Sequence, residues 1–545
     1  MNTHKKYKPQ ECNDSMTFHE CELAVLRHAV DENEKIQGEK MASGDEIKKM
    51  VKIVEEFLSR KKLICYGGTA INNILPKYAQ FYDRNLEIPD YDFFSPNALE
   101  DAKELADDFY KAGYLDVEAK SGVHEGTYKV FVNFIPMADV TSLHRELYDS
   151  LLKEAISIAG IKYAPANFLR MGMYLELSRP AGDVSRWEKV LKRITLLNTH
   201  YPMNVDYDCN MVDFQRKMEA EHKDQSEKIY FTVRDAFIEM GVVFFGGYAS
   251  SLYARYMPKE GRRFIKKIPD FDVLSEEPDK TALIVEERLH DAGFKDVKQI
   301  HHAAIGEIIP EHIEIQYGEE VLAFIYKPIA CHNYNTIRIG NQEINVATID
   351  TILSFYLAFI YAGAAYYYRD RILCMAKFLF ELGSKNRLAQ KGLMKRFSST
   401  CIGKQETLES IRAKKAAKFA ELRGKRGTAE YEEWFLKYNP ADNSKVKRDV
   451  KTIVQAKSAQ DKSVQDKSAV KTPVKEKSVK SAKIETVIED KTIEPENGKT
   501  IDDNVQEESK KEKKGKKGKK GKQNKTKKNG KVFERLLGLG NLQFP

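Results

Sequence analysis

What this 545-residue chain lacks narrows its reading before any motif is considered. Its seven cysteines are odd in number and show no Cys-x-x-Cys spacing, so neither a disulfide framework nor a zinc site is indicated. A reducing cytosolic compartment is the simplest expectation. No apolar segment follows the start Met1-Asn2-Thr3-His4-Lys5-Lys6, which gives no signal peptide. Residues 351–368 are uncharged and long enough to reach across a bilayer. They carry Thr351, Ser354 and tyrosines along their middle, which suits a buried helix rather than a span, and no membrane partner is expected. A strong charge is missing as well, once the tail is set aside. Residues 510–531 hold thirteen lysines against the single acid Glu512, a local +12 within a total of +8, which leaves −4 for the rest. The folded part is near neutral and the basic character belongs to the tail.

What is present centres on two stretches. Tyr66-Gly67-Gly68-Thr69 ends the apolar run 63–66 and precedes a short helical stretch, so bare backbone N–H groups stand where a helix N-terminus receives phosphate. Ile88-Pro89-Asp90-Tyr91-Asp92-Phe93 follows as a strand. Alternation sends Asp90 and Asp92 to one face and Tyr91 and Phe93 to the other. Two carboxylates held that close call for an oxygen-preferring divalent cation, Mg2+ or Mn2+. A third acid, Asp139, lies beyond the strand read at 130–135, at its end or on a bulge after Pro136. Three carboxylates can hold two metal ions, one acting on an attacking hydroxyl and one on a triphosphate and its leaving pyrophosphate. This pattern resembles the nucleotidyltransferase superfamily that includes DNA polymerase beta and the poly(A) polymerases. An isolated Asp-x-Asp is more often a turn or a solvated edge, and glycosyltransferases also use one; neither calls for an upstream strand-Gly-Gly-helix element.

About 180 residues later the pattern returns. Gly241-Val242-Val243-Phe244-Phe245-Gly246-Gly247 repeats the strand and glycines, and Ile268-Pro269-Asp270-Phe271-Asp272 repeats the acidic strand. Lys111-Ala112-Gly113-Tyr114 matches Asp291-Ala292-Gly293-Phe294 at the same interval from the acids. A duplicated domain is the straightforward account. Alignment of Phe134-Ile135 with Phe324-Ile325 sets Ile329 opposite Asp139, and alignment of Pro136 with Pro328 sets Cys331 there; neither replaces a carboxylate. Thr69, whose hydroxyl could meet a phosphate, becomes Tyr248. The second copy therefore reads as a catalytically silent scaffold, with residual binding at Asp270 and Asp272 left open.

Between the copies lie Ala164-Pro165-Ala166-Asn167-Phe168-Leu169-Arg170-Met171, Glu176-Leu177-Ser178-Arg179-Pro180-Ala181-Gly182-Asp183 and Ser185-Arg186-Trp187-Glu188-Lys189-Val190-Leu191-Lys192-Arg193. With the duplicated sites, these runs resemble the poly(A) polymerase catalytic subunits of large DNA viruses, the giant-virus form more than the poxvirus form, over roughly residues 44–400. The resemblance implies an α/β fold of polymerase-beta-like nucleotidyltransferase domains with helical additions, which fits the duplication and degenerate second copy read above; the basic C-terminal tail, read as disordered from its composition, departs from the poxvirus pattern. It implies Asp90, Asp92 and Asp139 as catalytic metal ligands for two Mg2+ or Mn2+ ions, and Gly67, Gly68 and Thr69 facing the triphosphate of ATP. It further implies an RNA 3′ end as partner and a virion and host-cytoplasm setting. A homodimer, or a methyltransferase partner that helps processivity, stays open.

The stretch 179–193 has two readings. Trp187, Val190, Leu191 and Ile194 form a helix stripe for the core while the basic residues face solvent, or one or more of Arg179, Arg186, Lys189 and Arg193 reaches the triphosphate or primer. Lys189 and Arg193 are the nucleotide-binding candidates. The organisation expected is an arm at 1–43, a catalytic domain at 44–150, a helical connection at 151–225, an inactive copy at 226–335, a helical region at 336–439 and a Lys-rich tail at 440–545. The tail composition cannot offset the entropy of folding, and its lysines suit either RNA phosphates or a role in solubility or localisation. The activity expected is template-independent addition of poly(A) to RNA 3′ ends from ATP. A uridylyl- or CCA-adding nucleotidyltransferase, a non-catalytic RNA-binding processivity subunit and a glycosyltransferase are the rivals.

Overall fold

The computed structural model of the chain describes residues 9–443 apart from 14, 43, 84–86, 204, 206–207, 210–211, 213–224, 257–269 and 307. Residues 1–454 form one compact unit, and 455–545 a second that lies outside the described residues, together with the expectations for the Lys-rich tail.

The helix Asp45–Lys61 forms because Ile47, Met50, Val54, Phe57 and Leu58 recur at helical spacing, and all five are buried. It feeds β1 (Ile64–Tyr66), the helix Gly67–Ile74, β2 (Tyr91–Ser95) and the helix Ala98–Lys111. There follow β3 (Val117–Ser121), β4 (Thr127–Val132) and β5 (Ile135–Ser142), then a short hairpin of β6 (Ile156–Ile158) and β7 (Ile161–Tyr163). One face of this sheet is apolar, with Tyr91, Phe93, Ala119, Val130, Ala138 and Val140 buried; Phe57 of the first helix packs on Phe93. Full burial of one such phenylalanine is worth roughly 2–3 kcal/mol. The opposite face carries Asp92, Asp139, Lys129 and Lys120, each partly open.

The sequence reading ran one strand through 130–135. The chain instead turns at Asn133 and Phe134, whose φ angles of 50° and 65° make a two-residue hairpin turn. No glycine marks that turn, so nothing local announced it. Asp139 consequently sits in mid-strand on β5, two residues beyond a break in register at Met137, so the expected irregularity after Pro136 is there but Asp139 itself is paired, with Lys129.

The second half holds β8 (Val243–Phe244), β9 (Phe271–Leu274), β10 (Val297–His302), β11 (His312–Tyr317), β12 (Glu320–Tyr326), β13 (His332–Ile339), β14 (Gln342–Ala347) and β15 (Cys401–Ile402). The boundary read at 335/336 thus falls inside β13, and residues 342–347 of the supposed helical region are a strand. The uncharged run at 351–368 overlaps the helix Ile349–Phe359, buried from Asp350 onward, which starts before the run and ends well short of its far end. Among the described residues no helix is long and apolar enough to cross a membrane.

Among the described residues the first sheet runs β16-β3-β4-β5-β2-β1-β7-β6, where β16 (Lys437–Tyr438) returns from the far end of the unit. The second runs β10-β11-β12-β9-β8-β14-β13-β15. From β3 to β7 and from β10 to β14 the pairings follow one order: antiparallel, antiparallel, parallel, antiparallel, parallel.

The cysteines depart from expectation. Cys12–Cys21, Cys209–Cys374 and Cys331–Cys401 are bonded pairs with Cα separations of 5.1, 5.5 and 5.2 Å, and Cys65 is free and buried. Sequence spacing missed the last two because their partners are 165 and 70 residues apart and meet only in the fold.

Candidate active site

The site is built by register. β2 and β5 are parallel neighbours, and Asp92 stands directly opposite Asp139. Asp90 precedes β2 by one residue and lines the cavity beside it. β1 lies on the other side of β2, with Tyr66 opposite Asp92, and delivers the chain into Gly67. Gly67 has φ +73°, and a Cβ there would lie 2.4 Å from the Asp92 Oδ2. A Cβ on Gly68 would lie 2.6 Å from the Tyr82 hydroxyl and 3.0 Å from both terminal nitrogens of Arg193. Both glycines are needed so that the backbone can pass between a carboxylate and a guanidinium.

The helix Trp187–His200 supplies that guanidinium, and both readings of 179–193 contribute to it. Val190 and Ile194 are buried and Trp187 and Leu191 pack against the core. Lys189 and Arg193, one turn apart on another face, point to the site. Arg193 donates to the Tyr82 hydroxyl and lies over the Phe81 and Tyr82 rings at 5.1 and 5.5 Å. Asn72 holds that aromatic pair in place by accepting from the Phe81 and Tyr82 amides at 2.8 and 2.9 Å. Lys189 lines a cavity of about 210 Å³ together with Thr69, Asn72, Tyr82 and Asp90. Arg186 is directed to Glu176 at 3.0 Å, and Arg179 is turned into the interior, where desolvation lowers its pKa. Thr69 donates its hydroxyl to the Asp90 carbonyl at 2.6 Å, so it braces the acid loop, with its oxygen left as an acceptor.

The electrostatics follow from crowding. Burial first, then the charges of Asp90 and Asp139, push Asp92 up to about 7, with Lys129 and Arg186 pulling the other way. Burial and then Asp139 raise Asp90, against Lys129 and Lys189. Asp139 is ion-paired with Lys129, its opposite number on β4. Among the described residues no three His, Cys, Asp or Glu side chains are drawn together at metal-holding separation. The donor set is nevertheless all oxygen, the mutual repulsion is what a divalent cation relieves, and the Lys129 ammonium stands in for a cation at Asp139. These residues fit Mg2+ or Mn2+.

Sequence reasoning missed Lys129, Asn72 and Tyr82. Lys129 had a signal, since it alternates with buried Tyr128 and Val130 and so must share a face with the acids. Asn72 and Tyr82 had none.

In the second sheet Gly246 packs on Asp272 as Gly67 does on Asp92, but Gly247 packs on Asp270 where Gly68 meets Tyr82 and Arg193. Register changes the rest. Phe324 stands opposite Asp272, as Asp139 does opposite Asp92. Both sequence alignments, which set Ile329 or Cys331 at that place, were therefore displaced toward the C-terminus by a loop shift that spacing cannot reveal. Glu314 stands where Lys129 does. Asp270 is buried, with the Arg371 guanidinium 3.8 Å away, and Tyr248 is buried in an aromatic cluster with Phe244 and Phe271.

Known proteins share parts of this arrangement. Residues 52–183 match the family model described as "Poly(A) polymerase catalytic subunit". A "Putative poly(A) polymerase catalytic subunit" of African swine fever virus is 34% identical over 171 residues, which is 30% of this chain and 35% of the relative. One of the same description from Acanthamoeba polyphaga mimivirus is 32% identical over 166 residues, 29% of this chain and 27% of the relative. The matched part thus spans about a third of the length of these relatives. The crystal structure of the Megavirus polyadenylate synthase superposes with a TM-score of 0.65 at 19% identity, covering 80% of this chain and 89% of that one. The chain has an α/β fold with mixed sheets that resembles the fold of the Megavirus polyadenylate synthase. The family model covers the region that carries Asp90, Asp92 and Asp139, while the likeness of fold covers 80% of the chain.

Proposed function

We propose that the chain is a template-independent polynucleotide adenylyltransferase that extends RNA 3′ ends from ATP. The observation that supports this reading is the register that sets Asp92 opposite Asp139, with Gly67 packed on Asp92, Asp90 and Lys189 lining the adjacent cavity and Arg193 against Gly68. The similarity of residues 52–183 to viral poly(A) polymerase catalytic subunits supplies ATP and RNA as the substrates.

In the reaction the RNA 3′-oxygen forms a bond to the α-phosphorus of ATP, the α–β bridging P–O bond breaks, and pyrophosphate carries away the negative charge. Two Mg2+ or Mn2+ ions held by Asp90, Asp92 and Asp139 would activate the hydroxyl and neutralise the leaving group. The protein's own part is positioning. Gly67 and Gly68 let the triphosphate approach the backbone, while Arg193 and Lys189 offer fixed positive charge to the β- and γ-phosphates. Arg193 needs no reorganisation to do so, because Tyr82 and Phe81 already hold it. Lys129 is ion-paired with Asp139 and holds that carboxylate in place on the open face of the sheet.

We also infer that the second sheet is a non-catalytic duplicate of the first. Its third position is Phe324, and a phenyl ring ligates no hard metal. Incubation of a short oligoadenylate with each of the four nucleoside triphosphates and Mg2+ or Mn2+ tests the whole reading. AMP addition by the unmodified chain, abolished in Asp90→Ala/Asp92→Ala, is expected. Preference for UTP, or RNA lengthening by the double variant, would overturn it.

A further inference from the structure

Cross-strand register on the open face of the first sheet extends past the acids. Opposite Asp139 on β5 stands Lys129 on β4, opposite Lys129 stands Lys120 on β3, and opposite Lys120 stands Lys437 on β16. Residues directly opposite across a sheet share a face, so one row runs Asp92, Asp139, Lys129, Lys120, Lys437 in steps of roughly 5 Å. The Gly67-Gly68 turn, Lys189 and Arg193 flank the acids from the β1 side, and the lysines lead away on the opposite side, toward the sheet edge.

The row ends in a groove of about 470 Å³ whose walls include Lys120, Lys415, Trp434, Phe435 and Lys437, with Glu118 as its one acid. Lys120 is ion-paired with Glu118 at 2.5 Å, and cations lie against rings in and around the groove. Lys120 lies 4.0 Å from the Phe131 ring centroid, and the Lys414 and Lys418 ammoniums lie 5.4 and 5.9 Å from that of Trp434. Positive charge interleaved with aromatic faces suits a single-stranded polynucleotide, whose phosphates need cations and whose bases need surfaces to stack on.

The bland explanation is a polar sheet face that happens to carry lysines, or edge lysines that block pairing with another sheet. Lys120 and Lys129 are on interior strands. The matching row of the second sheet reads Asp272, Phe324, Glu314, Ile300, with no lysine at any step. The same strand order therefore stands without a basic row.

We propose that Lys129, Lys120 and Lys437 form a track for the backbone of single-stranded RNA just upstream of its 3′ end, leading into the groove at Trp434. The choice of RNA rests on the proposed activity, and the test needs no turnover. The full chain and Lys120→Ala/Lys437→Ala are compared for binding of a fluorescent oligoadenylate across salt concentration. Each lost phosphate contact flattens the plot of log K against log salt by about 0.7, so a slope shallower by about 1.4 is expected. Affinity should fall on the order of tenfold near 0.1 M salt and converge with the parent at high salt. Residues 510–531 are common to both proteins and cancel in the difference. Lys298→Ala, on the edge strand of the second sheet, is the control and should bind as the parent does.

The single variant Lys437→Glu, at an exposed edge, serves if the double variant melts early. Unchanged affinity and slope in folded variants would overturn the track, as would a duplex that binds as well as the single strand with the same dependence. A chain that adds AMP while these variants bind normally loses the track and keeps the function. A chain that adds no AMP while they lose RNA keeps the track and loses the function.

Discussion

The two sheets share a strand order, a Gly-Gly turn packed on aspartate and an Asp-x-Asp, yet only the first sets a carboxylate opposite the second aspartate of that pair. What separates them is a single row of side chains. In the first sheet Asp139 and Lys129 keep that row charged and partly open to solvent. In the second, Phe324 joins His302, His312, Tyr326 and Tyr366 in an aromatic cluster, and Glu314 accepts from the His302 Nε2 at 2.8 Å. The first glycine remains in both, because a carboxylate, Asp92 or Asp272, is pressed against it. A Gly-Gly/Asp-x-Asp signature thus reports a backbone arrangement, and the third strand decides whether it becomes a site.

Breaking the comparison at its acids should give the largest effect. Asp139→Asn should lower AMP transfer on the order of a thousandfold or more, as loss of one member of a catalytic set does. Asp272→Asn should leave transfer within roughly twofold, as a distant site would. Comparable losses from both, in single-turnover assays, would mean that the second sheet takes part in the chemistry.

Restoring the missing acid should not restore a site. Phe324→Asp puts a charge among buried rings and should cost more than about 4 kcal/mol of stability by urea unfolding, with no gain in Mn2+ binding.

The two arginines beside the acids should separate cleanly. Arg193→Ala should raise the KM for ATP by roughly tenfold or more, the worth of a charge-assisted hydrogen bond. Arg371→Ala should leave that KM alone and lower the melting temperature, since its neighbour is buried Asp270.

The smallest effect concerns stability without metal. Asp92 titrates near 7 in the folded chain against an ordinary 3.8, so ionising it costs stability. That cost is absent below about pH 4, grows as pH rises to about 7, and stays constant beyond. Asp92→Asn should therefore be more stable than the parent by about 1–3 kcal/mol above pH 7 in chelator, with the gap closing toward pH 4 and shrinking in excess Mg2+. A gap independent of pH would mean that carboxylate repulsion is not its source.

Much of the local structure was legible in the sequence. The helices Asp45–Lys61 and Ala98–Lys111, the glycine turn and the strand after Asp90 all follow from periodicity and turn residues. The repeat was legible because a turn packed on an acid tolerates few residue types. Pairing between strands was not, since it depends on which segments meet across long loops. That is why Asp139 was set at a strand end, why Ile329 and Cys331 were offered where Phe324 stands, and why the cysteine pairs went unseen. The hairpin at Asn133 and Phe134 was hidden for a different reason. It takes left-handed backbone at a phenylalanine, which residue preference disfavours and the surrounding strands impose.

Strand β16 carries a consequence for how the chain is made. Residues 437–438 form the outermost rung of the sheet that began at residue 64, with the whole second sheet encoded in between. On the ribosome, the first half emerges with that edge uncovered and must wait for nearly three hundred further residues before β3 gains its neighbour and the basic row its last lysine. The half that holds the acids is consequently not a module that could be excised at the junction and expected to arrive whole.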